Sequence, residues 1–269
     1  FRSASYAPEI KEVTIPGNGR DVHVILHKPR HPNHQINGAT PLLVQVHGGP
    51  TAHSSAIAKL DYLYWTTRGF TIADVNYGGS TGYGSAYRHL LYGQWGVVDY
   101  EDVISTVTYL IAEGIADPKR VFIAGGSAGG FTVLNALVHS NTFAAGADYY
   151  GVAELSALAA DTHDFESRYL DSMIGPYPER KDLYDQRSPL THAEKLSTPL
   201  IIFQGTEDMV VPPSQSEAFR DVCARKGIKH KYFAFQGEGH GFIRAESIIT
   251  SLEESLIFFG EAGGFSPQL

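Results

Sequence analysis

Cysteine is nearly absent. Cys223 is the only one in 269 residues, so no intrachain disulfide can form and no cysteine pattern supports a metal site. It falls in Ser214 to Lys226, a stretch patterned as an amphipathic helix, and reads as buried filler rather than as a nucleophile. An excess of positive charge is also lacking. Lys and Arg total 21 against 29 Asp and Glu, a formal net charge of -8, which argues against nucleic acid or an anionic membrane as a main partner. There is no Asn-x-Ser/Thr sequon, and no N-terminal stretch has the pattern of a signal peptide or membrane anchor. These features suit a reducing cytoplasm. The run from Val121 to Val138 carries no charge and is long enough to mimic a membrane span, but four glycines, two hydroxyls and Asn135 argue against one. The chain does not begin with Met, so the expectation is a processed chain or a piece of something longer.

What is present is a globular composition, 43% hydrophobic and 19% charged, read as one large α/β domain over residues 1–269. Strand-like runs fall at Glu12–Ile15, Val22–His27, Leu42–His47, Phe70–Asn76, Val121–Ala124, Ala144–Tyr150, Leu200–Gln204 and Lys231–Phe235. Helical patterns lie at about Ala56–Thr67, Tyr100–Ala112, Ala128–His139, Ser214–Lys226 and Ser247–Phe259. Gly17-Asn18-Gly19 signals a hairpin between the first two strands. Thereafter strands and helices alternate, which predicts a mostly parallel eight-stranded sheet with an antiparallel start and helices on both faces. From Val152 to Lys195 the rhythm breaks into short helical pieces around Gly175-Pro176-Tyr177-Pro178. This segment is expected to be an insertion over the C-terminal edge of the sheet.

The most informative local pattern is Gly125-Gly126-Ser127-Ala128-Gly129-Gly130, between an apolar strand and an apolar helix. Gly125 and Gly129 bracket Ser127 as in a nucleophile elbow, where strand and helix come too close for a Cβ. A phosphate-binding P-loop would want a following Lys, and none is there. A serine hydroxyl needs a base, usually a histidine oriented by a carboxylate. Two strands run into loops with suitable groups. Leu200–Gln204 leads to Gly205-Thr206-Glu207-Asp208, and Lys231–Phe235 leads to Gly237-Glu238-Gly239-His240-Gly241-Phe242. His240 is the expected base, and Glu207 or Asp208 the expected carboxylate. Oxyanion donors are expected from the amide of Ala128 and from that of Gly49 in His47-Gly48-Gly49-Pro50, a loop similar to the oxyanion loop of lipases and esterases. The alternative for that loop is a plain Gly-Pro turn. His23, His27, His31 and His34 cluster loosely, but without an accompanying carboxylate pattern no metal or cofactor is expected.

Taken together, the chain resembles the catalytic domain of the prolyl oligopeptidase family of serine peptidases, nearest to the acylaminoacyl-peptidase and bacterial dipeptidyl-aminopeptidase branch. The matching stretches are His47 to Pro50, Asn76 to Gly84, Trp95-Gly96 with Asp99 and Asp102, Gly125 to Gly130, Gln204 to Asp208 with Val211-Pro212, and Gly239 to Phe242. The resemblance implies an α/β-hydrolase fold and chooses Asp208 over Glu207. It further implies hydrolysis of peptide or acylaminoacyl bonds in short peptides through Ser127, Asp208 and His240. It also implies an N-terminal β-propeller, absent from this chain, and allows a homo-oligomer. Three departures stand out. Ala128 replaces a frequent tyrosine, His47 stands where other branches place a tyrosine donor, and Gly78 stands where arginine is common. They loosen the expectation of strict proline specificity. Phe165, Tyr169 and Val211 are candidates for an apolar specificity pocket, with a plain core role as the alternative. A carboxylesterase would use the same residues, and a non-catalytic binding domain is the remaining rival.

Overall fold

In a computed structural model, which describes residues 4–161 and 167–267, the chain builds one eight-stranded sheet of order β1-β2-β4-β3-β5-β6-β7-β8. The strands are β1 (Glu9–Pro16), β2 (Asp21–Lys28), β3 (Thr40–Val46), β4 (Thr71–Asn76), β5 (Ala116–Gly126), β6 (Ala145–Tyr149), β7 (Leu200–Gly205) and β8 (His230–Phe235). The first three strands in sheet order are joined antiparallel, and β4 through β8 run parallel. This is the mostly parallel sheet expected from the alternation of strands and helices, in the α/β-hydrolase architecture that the resemblance implies.

Continuous apolar runs fold as strands because both sheet faces are covered. Along β3, Leu42, Val44 and Val46 enter one core while Leu43 enters the other. Along β7, Leu200 and Ile202 face the first core and Ile201 and Phe203 the second. The first core is closed by α3 (Val98–Ala112), α4 (Ala128–His139) and α8 (Pro213–Lys226), the second by α1 (Leu60–Thr66) and α9 (Ala245–Gly263). Cys223 is buried in the first core. No helix among the described residues is long and apolar enough to cross a membrane.

Among the boundaries that differ from the sequence pattern, two have identifiable reasons. The helix expected from Ala56 starts at Leu60, because the amide of Ser54 donates to Asn76 Oδ1 and its hydroxyl to Asp74 Oδ1. Those bonds tie the preceding loop to the end of β4. Strand β5 starts at Ala116 rather than Val121, because Ala116 pairs with Thr40 ahead of a register shift. A short helix, α2 (Ser85–His89), was not signalled. Within the broken segment lie α5 (Leu155–Asp161), α6 (Ser167–Met173), α7 (Lys181–Arg187) and a 3-10 turn at Pro189–Lys195.

Candidate active site

Parallel strands deliver their following loops to one rim, and β3, β5, β7 and β8 bring Gly49, Ser127, Ala128, Asp208 and His240 there. Ser127 joins β5 to α4 with φ 57 and ψ -124, a conformation that L-residues adopt only under constraint. The constraint comes from the backbone on both sides. The Ser127 amide donates to Tyr149 O at 3.0 Å, and its carbonyl accepts Phe131 N at 3.0 Å. The flanking glycines have a direct steric reason. A Cβ on Gly129 would overlap the Val46 carbonyl oxygen, and one on Gly125 would stand 2.7 Å from Gly129 O. Helix α4 therefore packs down onto the ends of β3 and β5, which lifts the serine to the rim.

The loops after β7 and β8 touch through their backbones. A Cβ on Gly205 would overlap the carbonyls of Glu238 and Gly239. Glu238, buried at the base of the loop, accepts the amides of Ile243 and Arg244 at 3.1 and 2.9 Å and closes the turn that carries His240. His240 Nδ1 lies 2.8 Å from Asp208 Oδ2, and His240 Nε2 lies 2.9 Å from Ser127 Oγ. Asp208 Oδ1 accepts the amides of Val210 and Val211, each at 2.9 Å. Burial works to raise the Asp208 carboxyl, but the bond from His240 and those two amides outweigh it and hold it below the usual carboxylate range. An ionised carboxylate only accepts, so Nδ1 of His240 carries the proton and Nε2 is left to accept from the serine hydroxyl. Glu207, the competing carboxylate, is exposed while Asp208 is buried.

The His47-Gly48-Gly49-Pro50 loop runs past the start of α4, since a Cβ on Gly48 would lie 3.9 Å from Ala128 N. Gly49 has φ +125, a conformation reserved for glycine. Neither the Gly49 nor the Ala128 amide has an acceptor among the described residues. Both are thus open donors beside Ser127. The His47 imidazole is turned into the scaffold. Its Nδ1 donates to Gly48 O at 2.8 Å, its Nε2 meets Ser80 Oγ at 2.7 Å, and its ring stacks on Tyr77. Burial pushes its pKa down, which favours the neutral ring.

A cavity of about 120 Å³ opens beside Ser127. Of the sequence candidates, Tyr169 and Val211 line it, while Phe165 lies outside the described residues. The wall is completed by Trp95, Val152, Leu158, Leu170 and Val210. The sequence pattern did not mark these as pocket residues, because nothing but three-dimensional packing distinguishes them from ordinary core. Tyr169 also bonds the residue that follows the His47–Pro50 loop, with its hydroxyl 2.7 Å from Thr51 Oγ1.

Other motif residues prove to be braces. Asp102 joins Arg20 Nε and the Gly78 amide, each at 2.7 Å, and Asp99 joins the Gly96 amide and Thr132 Oγ1 at 2.7 and 2.6 Å. Burial pushes each of these carboxyls up to about 6. The N-terminal histidines do not converge. His23 stacks on Tyr83, His27 is buried against Tyr62, and His31 and His34 face each other in a loop. Among the described residues no group of three His, Cys, Asp or Glu side chains is placed to hold a metal.

A model of the prolyl oligopeptidase family matches residues 58–265. The fold superposes on a puromycin-hydrolysing peptidase of Mycobacterium tuberculosis with a TM-score of 0.95 and 44% identity, over 99% of this chain and 41% of that one. Dipeptidyl aminopeptidase BIII of Pseudoxanthomonas mexicana is 32% identical over 220 residues, 79% of this chain and 32% of its own length. Acylamino-acid-releasing enzyme 1 of Oryza sativa subsp. japonica is 30% identical over 231 residues, 81% of this chain and 30% of its own. The chain thus spans about a third of the length of these curated relatives.

Proposed function

The chain belongs to the prolyl oligopeptidase family, and on that premise we propose that it is a serine peptidase whose nucleophile is Ser127. The observation that carries this reading is one unbroken line of hydrogen bonds, from Asp208 through the two nitrogens of His240 to Ser127 Oγ, at 2.8 and 2.9 Å. Ser127 Oγ attacks the substrate carbonyl while His240 Nε2 takes the hydroxyl proton. Asp208 holds the ring and stabilises the imidazolium. The oxyanion forms against the amides of Gly49 and Ala128, which are fixed before substrate arrives and lose no partner when they serve it. His240 then returns its proton to the leaving amine, the C–N bond breaks, and water releases the acyl group from Ser127 by the reverse path. No step calls for a metal or an organic cofactor.

The cavity and the relatives support a substrate class. A cavity of about 120 Å³ has room for one apolar side chain next to the scissile carbonyl. The relatives' names, a dipeptidyl aminopeptidase, an acylamino-acid-releasing enzyme and a puromycin-hydrolysing peptidase, direct attention to short peptides and acylated aminoacyl compounds. The test compares aminoacyl and acylaminoacyl p-nitroanilides with p-nitrophenyl esters. Anilide hydrolysis that disappears in Ser127→Ala supports the peptidase. Turnover of esters alone supports a carboxylesterase and overturns it.

A further inference from the structure

Among the described residues two non-glycine residues have positive φ, Ser127 at 57° and Tyr150 at 42°. The first is the proposed nucleophile. The second is a bulky aromatic in a conformation that glycine adopts freely, with a glycine as its immediate neighbour at 151. An outlier of this kind persists only where its surroundings over-determine it, and it points toward function. We propose that Tyr150 is a positioning residue, whose ring holds the His240 imidazole in line with Ser127. The inference rests on the triad reading above.

The geometry is specific. The Tyr150 amide donates to Phe203 O at 2.8 Å, and the neighbouring Tyr149 carbonyl accepts the Ser127 amide at 3.0 Å. Residues 149 and 150 thus bridge the strand that presents the serine and the strand that leads to Asp208. From there the left-handed turn sends the Tyr150 ring across the rim. It covers Gly126, where a Cβ would stand 3.0 Å from Tyr150 Cε2. It meets the His240 ring at a centroid distance of 4.8 Å and 60°. Phe242 backs it edge-on at 5.3 Å. The hydroxyl of Tyr150 makes no hydrogen bond among the described residues, so the ring is the working part. An imidazole fixed by Asp208 at one nitrogen can still swing about that bond. The aromatic wall blocks the swing and keeps Nε2 facing the serine, a condition on the reaction step rather than on substrate binding.

The test is steady-state kinetics of wild type, Tyr150→Phe, Tyr150→Leu and Tyr150→Gly on an aminoacyl p-nitroanilide. Tyr150→Gly relieves the backbone conformation, so it keeps the fold where Tyr150→Leu fails to. The expected result is Tyr150→Phe within about threefold of wild type, and Leu and Gly variants with kcat lowered at least about tenfold at unchanged KM. A Gly variant that keeps more than half the wild-type kcat overturns the inference, as does a loss carried by KM. Wild-type turnover that survives Ser127→Ala overturns instead the triad reading beneath it.

Discussion

Two sides of Ser127 are built on different principles. On one side the loops of the proposed triad are fixed by backbone contact: Gly129 against Val46 O, Gly205 against the carbonyls of Glu238 and Gly239, and Asp208 under the amides of Val210 and Val211. On the other side the cavity wall is assembled from single apolar side chains, Trp95, Val152 and Leu170, drawn from separate segments. Backbone contact demands particular residue types at particular spacings, whereas apolar packing accepts many side chains of similar volume. On the proposed reading, the chemistry is therefore rigidly specified, and the specificity is free to vary around it.

Substitutions on the two sides should separate these principles. The largest expected effect is Ser127→Ala, which lowers kcat by about 10,000-fold or more with an unchanged thermal midpoint. Next, Asp208→Asn keeps the shape of the loop but leaves a group that favours the wrong His240 tautomer, and kcat falls by about 1,000- to 10,000-fold. Gly129→Ala tests the backbone contact itself. Its Cβ meets the Val46 carbonyl, so urea unfolding should show a loss of about 3 kcal/mol. A neutral result would mean that the elbow has slack. On the cavity side, Leu170→Ala enlarges the wall and should change selectivity between small and large aminoacyl anilides by only about tenfold. If Leu170→Ala instead abolishes turnover of both, the division between the two sides is wrong.

The smallest effect concerns a group under the elbow. Asp148 at the end of β6 is fully buried with no hydrogen-bond partner of good geometry, the Gly151 amide being its one counterweight. Burial pushes its carboxyl up to about 7. The folded state therefore holds a proton that the unfolded chain has released, from roughly pH 4 up to about 7. Stability from this group falls as pH rises through that window and stays low above it. Asp148→Asn removes the penalty, so its gain in unfolding free energy over wild type should be larger at pH 8 than at pH 5, by about 1 kcal/mol or more. An equal or reversed gain would show that the carboxylate finds a partner when ionised.

The same contrast explains what the sequence could disclose. The inner strands could be placed because apolar runs such as Leu200-Ile201-Ile202-Phe203 are covered on both faces. Gly125 and Gly129 around Ser127 were legible because steric necessity writes itself as glycine. Asp208 was separable from Glu207 only through the family resemblance, although in the structure burial divides them plainly. Glu238 was passed over because an acidic residue between glycines looks like a solvated turn, and only the folded loop brings the Ile243 and Arg244 amides to it. Trp95 belongs to a motif, but nothing in its neighbours announces a cavity wall. Tyr150 carries no local signal at all, since its left-handed backbone arises from contacts with β5 and β7.

Covalent labelling is the sharpest probe of Ser127 as the activated nucleophile of this rim. After treatment with a fluorophosphonate, intact-mass and peptide-mapping spectrometry should find a single adduct on Ser127. The adduct should be absent in Ser127→Ala and strongly slowed in His240→Ala. An unmodified Ser127 in the folded wild-type protein, or an adduct placed on another residue, would contradict it.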